Sequence, residues 1–257
     1  MPSIKEIAEI LNSDISKRKL GNPYFNQENY QTFPYNRDNF HEVKALESNR
    51  KICSIDGGNQ ELYPAPEYSI QLNRVYFNIF RNKKNHPPKS DIPRKIEFLS
   101  LTSLNREHQN TYFETQISVE NGGFKKYLPS SEDLKVKAFE PDFQLGNKAL
   151  MERMASMARR FSEWTIAEHI IDSELEEGDI IIKDGSLQTS HVNENKYVDK
   201  VFNKAIEKGV IYTGLSKSCR LTTNTGYSLI AAIEKCAKEN DVQYGEWCYF
   251  PIARSKK

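Results

Sequence analysis

Asp179-Ile-Ile-Ile-Lys-Asp-Gly185 is an apolar run of a few residues, bounded by acids and closed by a turn signal. Three consecutive isoleucines suit a short strand buried on both faces of a sheet. What flanks the run decides how such a strand is used. Before it, from about Lys148 to Asp172, Leu150, Met154, Met157, Phe161, Trp164 and Ile171 fall on one stripe at helical spacing. After it, Asn193 to Lys208 reads as a helix, and Gly209 opens the strand Val210-Ile-Tyr-Thr213. Gly226 to Asn240 is a further helix and Trp247 to Ile252 a last strand. Alternating helices and strands of this kind favour parallel pairing through crossovers.

Upstream the pattern changes to strands alone. Lys51-Ile-Cys-Ser-Ile55 runs into Asp56-Gly57-Gly58. Tyr68 to Phe80 nearly alternates, through Ile70, Leu72, Val75, Phe77 and Ile79, with a slip near Asn73; Lys95 to Leu101 is a third strand. Three strands in succession can meander antiparallel. The element order β-β-β-α-β-α-β-α-β therefore predicts an α/β fold with an RNase H-like mixed sheet, strand order 3-2-1-4-5, flanked by helices. Thr111 to Tyr127 is expected as an inserted hairpin turning at Asn121-Gly122-Gly123, and Ser130 to Gly146 is polar and without period. Ser3 to Lys19 reads as an amphipathic helix capped by Ser3, and Gly21 to Asn39 as a strap anchored by Tyr24, Phe25, Tyr30 and Phe33. The expected organisation is residues 1–48 as helix, strap and interface, then one α/β domain over 49–257 with a decoration at about 82–146.

Composition narrows the function classes. Among 257 residues, 36 Lys and Arg stand against 35 Asp and Glu, a formal charge of +1, so the chain offers nucleic acid no bulk attraction. Mean hydropathy is −0.69, and no apolar run approaches the roughly 18 residues of a membrane span. With no signal-peptide core and four scattered cysteines (Cys53, Cys219, Cys236, Cys248), a cytoplasmic protein is expected, without disulfides or zinc. No P-loop, no dinucleotide fingerprint and no nucleophile elbow is present. The five histidines lie mostly in polar stretches.

Two strand ends carry acids. Asp56 closes the first strand and Asp184 the fourth, each followed by glycine. In the 3-2-1-4-5 order these strands are parallel neighbours, so both carboxylates leave the sheet at one edge. A single Asp-Gly is first of all a turn. Two on adjacent strand ends form a pair of like charges that repel unless they share a proton or a metal ion. Hard oxygen donors suit Mg²⁺ or Mn²⁺, and two such ions can clamp the attacking and leaving oxygens of a phosphoryl transfer. A third carboxylate would come from the long helix. Walking back about eleven residues from Asp172 reaches the level of Asp184, near Arg160 and Glu163, whereas Glu168 faces the sheet more squarely. Spacing leaves both glutamates open. Arg159, Arg160, and Lys217 and Arg220 in Gly214-Leu-Ser-Lys-Ser-Cys-Arg220 fall near the same edge, either as phosphate contacts or as a solvated connection.

Ile52-Cys-Ser-Ile-Asp-Gly-Gly58, Arg160-Phe-Ser-Glu163 with Ala167, Ile180-Ile-Ile-Lys-Asp-Gly-Ser-Leu187 and Gly214-Leu-Ser-Lys217 follow one another in the order of the NurA-type DNA-repair nucleases. The chain resembles that family from about residue 50 to 252. The resemblance implies an RNase H-like fold and cleavage of DNA with Mn²⁺, or Mg²⁺ in its place, at a two-ion centre. It also implies endonuclease and 5′-to-3′ exonuclease activity, a homodimer, and docking on a hexameric HerA-type ATPase that drives DNA toward the nuclease, in end resection for repair or in antiviral defence. Asp56, Glu163 and Asp184 would then be metal ligands, Lys217 would lie near the scissile phosphate, and Arg160 and Arg220 would join it in binding DNA. Family members usually continue past Ile252 into further strands bearing a His or Tyr near the metals, and many carry Ser where Gly58 stands. Two other readings compete. One is a catalytically silent adaptor of a DNA-translocase complex. The other is a sugar-kinase or actin-like phosphotransferase, for whose duplicated domain 257 residues leave no room.

Overall fold

A computed structural model describes residues 3–25, 28–138 and 147–256. In chain order the elements are α1 (Ile4–Lys17), β1 (Tyr30–Thr32), β2 (Phe40–Glu42), β3 (Ile52–Pro64), β4 (Tyr68–Arg81), β5 (Lys84–His86), β6 (Lys95–Glu107), β7 (Asn110–Ser118), β8 (Lys135–Lys137), α2 (Asn147–Ala155), α3 (Met157–Ser173), β9 (Ile180–Asp184), α4 (Glu194–Lys208), β10 (Ile211–Leu215), α5 (Leu229–Glu239), β11 (Trp247–Tyr249) and β12 (Ala253–Ser255). They fall into two units, Ser48–Lys217 and Met1–Glu47 with Ser218–Lys257. Residues 218–257 group with the N-terminal segment.

The larger unit is built on one mixed sheet in the order β10-β9-β3-β4-β6-β7-β8, with β5 added on β4. Within it β6-β4-β3-β9-β10 is the expected 3-2-1-4-5 order. β10, β9 and β3 run parallel; the remaining neighbours are antiparallel. This curled mixed sheet with its helices is an RNase H-like α/β arrangement. Among the described residues no helix is long and apolar enough to cross a membrane.

One face of the sheet is buried under α2 and α3, and α4 packs on α3 and β10. Cys53, Ile55, Val75, Phe77, Ile79, Ile96, Phe98 and Ile181 line the covered face. Because α3 is buried by the sheet on one side and by α4 on another, ten of its residues are buried, Ile166, Ala167 and Ile170 among them. The single stripe read from the sequence is thus too narrow; the side chain of Leu150 lies outside the described residues. The helix also breaks at Ser156, whose Oγ bonds back to the Arg153 carbonyl at 2.7 Å, a contact that bends helices. On the opposite face Ile52, Phe80, Leu99 and Ile211 are 39–45% exposed.

The slip near Asn73 falls inside one continuous strand. β4 runs on without a bulge against β6, and its inward row simply changes from Val75, Phe77 and Ile79 to Ser69, Gln71 and Asn73. These polar groups stay buried because they bond one another across strands: Asn73 Nδ2 donates to Ser100 Oγ at 2.8 Å, and Asn59 Nδ2 to Gln71 Oε1 at 2.9 Å. The hairpin turns at His108 and Gln109 between β6 and β7, with His108 at φ 56°, while Asn121 instead caps a 3₁₀ turn over Gly122–Tyr127.

In the smaller unit β1 pairs with β12 and β2 with β11. Phe40 lies edge-on to Trp247 and Tyr249, with centroids 5.0 and 4.7 Å away, and packs with Leu229, Ile233 and Cys236 of α5. Phe25 and Tyr35 of the expected strap join this core. The Ser3 side chain makes no capping bond to α1, and Ile4, Ile7, Ile10 and Leu11 on that helix are exposed.

Candidate active site

Alternation along two parallel strands sets up the site. β3 and β9 pair from Ile52–Ile180 to Ile55–Lys183, so Asp56 and Asp184 each stand one residue beyond the last pair. Side chains alternate between faces along a strand. Cys53, Ile55, Ile181 and Lys183 point to the helices and are buried, so Asp56 and Asp184 point together to the open face. The crevice at the carboxyl ends of parallel strands is where α/β sheets bind their ligands. Gly185 then takes φ 87°, a backbone conformation that favours glycine, and turns the chain away.

A lysine closes the pair. Lys217, two residues past β10, places Nζ 2.9 Å from Asp184 Oδ2 and 3.9 Å from Asp56 Oδ2. Opposite Asp56 in the antiparallel register stands Tyr76, whose hydroxyl donates to Asp56 Oδ2 at 3.1 Å. The Lys217 hydrogen bond holds the Asp184 carboxyl below the usual aspartate range, against a smaller opposing effect of burial. The same bond raises the lysine, and the bond to Asp56 raises the Tyr76 phenol. Two carboxylates thus converge on one cationic atom, the electrostatic arrangement a metal ion requires of hard oxygen donors.

Glu163 is not brought to this pair. It is buried on the helix side of the sheet, where Lys183 Nζ lies 2.7 Å from Oε2 and Arg159 bonds Oε1. Space for it comes from Gly57, since a Cβ there would collide with the Glu163 carboxyl. Glu168 is half-buried farther along α3. Arg160 forms a part-buried ion pair with the buried Glu194 and donates to the Gln188 carbonyl, so its guanidinium serves the packing of α3 on α4. Arg220 belongs to the other unit. Among the described residues no three of His, Cys, Asp and Glu gather as a metal-ligand set.

The NurA domain model matches residues 50–244, about three quarters of the chain. The chain belongs to the NurA family. NurA proteins are nucleases that work on DNA, and the match spans both aspartates and Lys217. No curated protein and no solved structure matches the chain. Tyr76 and Lys183 are not among the candidates read from the sequence: Tyr76 follows only from the β3–β4 register, and Lys183 as a partner of Glu163 only from the direction its side chain takes. Arg159, expected as a phosphate contact or part of a solvated connection, pairs with Glu163.

Proposed function

We propose that the chain is a divalent-metal-dependent deoxyribonuclease, cutting phosphodiesters as an endonuclease and a 5′-to-3′ exonuclease, as a homodimer beside a hexameric HerA-type translocase. The observation that carries the catalytic part is the convergence of the Asp56 and Asp184 carboxylates on one cationic position. Asp56 and Asp184 would hold Mn²⁺, or Mg²⁺ in its place. When bound, the ion supplies Lewis-acid activation of water and neutralises charge on the phosphate. Tyr76 fixes the Asp56 carboxylate by its hydroxyl. The buried Lys183–Glu163–Arg159 group ties α3 to the strand ends beneath the pair. For the second ion implied by the family resemblance, no further carboxylate is gathered among the described residues.

Cleavage of linear single- and double-stranded DNA with Mn²⁺, Mg²⁺ or EDTA tests this. Asp56→Asn and Asp184→Asn should each lower the metal-dependent rate at least about a hundredfold while thermal unfolding stays cooperative. Undiminished cutting by either variant contradicts the assignment. A silent adaptor is favoured by one observation, the commitment of Glu163 to Lys183 and Arg159. It predicts no cutting even with the cognate translocase added and no binding of divalent ions.

A further inference from the structure

Resting on the metal reading above, we propose that Lys217 is a built-in counter-ion, one that competes with the divalent ion for the Asp56–Asp184 pair and is released when the ion binds. Its ammonium lies where the two negative charges meet, 2.9 Å from one carboxylate and 3.9 Å from the other. Two cations cannot share that place, because like charges at such distances repel strongly outside bulk water. The side chain is free to leave. It is 69% exposed, and it reaches back from the loop after β10 on a flexible four-carbon stem.

Lys183, one residue before Asp184, is the contrast. Its side chain is 3% exposed and bonded to Glu163 on the helix side, so it has neither the position nor the freedom to exchange. Without Lys217 the metal-free site would present two unscreened carboxylates to a polyanion. With it, one of the two negative charges is offset until the ion arrives. The displaced ammonium then remains tethered beside the strand ends, where a phosphate oxygen needs a positive partner. The ion in turn binds with an apparent affinity scaled by the fraction of molecules whose lysine has left the pair.

The full chain is tested with Mn²⁺ alone, binding being read by electron paramagnetic resonance of the free ion. Lys217→Met should bind Mn²⁺ about fivefold more tightly than the unaltered chain, the size expected when an exposed ion pair no longer competes. Lys95→Met controls for charge, since Lys95 pairs with Glu97 at 2.9 Å rather than with the aspartates; its affinity should match that of the unaltered chain. A second readout is acetylation of Lys217 by an N-hydroxysuccinimide ester, followed by mass spectrometry. Its rate should rise when Mg²⁺ is added, while that of Lys95 stays constant. Equal or weaker Mn²⁺ binding by Lys217→Met, with binding abolished by Asp184→Asn, overturns the counter-ion and leaves the metal site standing. An acetylation rate indifferent to Mg²⁺ does the same. Absence of binding by every form, or binding that survives Asp184→Asn, overturns the metal site itself and the counter-ion with it.

Discussion

Asp56 and Asp184 acquire their character from residues far away in sequence: Tyr76 from the neighbouring strand and Lys217 from the loop beyond β10. The acids themselves are legible, because each closes an apolar strand with Asp-Gly, but their partners are fixed by register. His191 shows the same dependence on surroundings. Burial pushes its imidazole down to about 4, and Arg160, Arg153 and Arg159 add to that effect against the opposing pull of Glu194. An unfolded chain, with an imidazole at the ordinary 6.5, therefore takes up its proton first as the pH falls. Stability should accordingly decline by about 1–3 kcal/mol between pH 6.5 and 4 through this group. Urea unfolding at pH 5 and 7.5 checks it: His191→Phe should lose part of the pH dependence of the unaltered chain. An identical pH dependence in both would show that the ring is not kept neutral by the fold.

At the scale of elements, the meeting of β3 with α3 decides where Glu163 points. The helix height estimated from the sequence brings Glu163 level with the strand ends, as found, but height says nothing about the face. The absence of a side chain at Gly57 lets the Glu163 carboxyl press against the strand on the helix side, between Lys183 and Arg159. Gly57→Ala should cost about 1–3 kcal/mol, since the new methyl meets a carboxyl held by two cations and unable to swing away. At Gly58 a Cβ would meet nothing within 4 Å, so Gly58→Ala should stay within about 0.5 kcal/mol. Guanidinium unfolding of the two variants makes the comparison, and equal losses would contradict it. The hairpin was misplaced for an equally local reason. Asn121-Gly122-Gly123 is a strong turn signal, whereas the turn at His108 is held by the β6–β7 ladder and carries no glycine to mark its positive φ.

For the whole molecule, the central strand order was readable because three isoleucines between two helices can form little other than a buried parallel strand. The grouping of residues 218–257 with the first 47 was not readable, because pairing of β2 with β11 and of β1 with β12 joins segments some two hundred residues apart and leaves no local signal. Where a divalent ion binds in the larger unit decides whether Asp56 and Asp184 form a metal site. Crystals soaked in Mn²⁺ and measured for anomalous scattering would locate it. The predicted result is a peak between the carboxylates of Asp56 and Asp184, with Lys217 Nζ moved out of contact and Glu163 still bonded to Lys183. A peak elsewhere, or Mn²⁺ held by Glu163 on the helix side of the sheet, would contradict it.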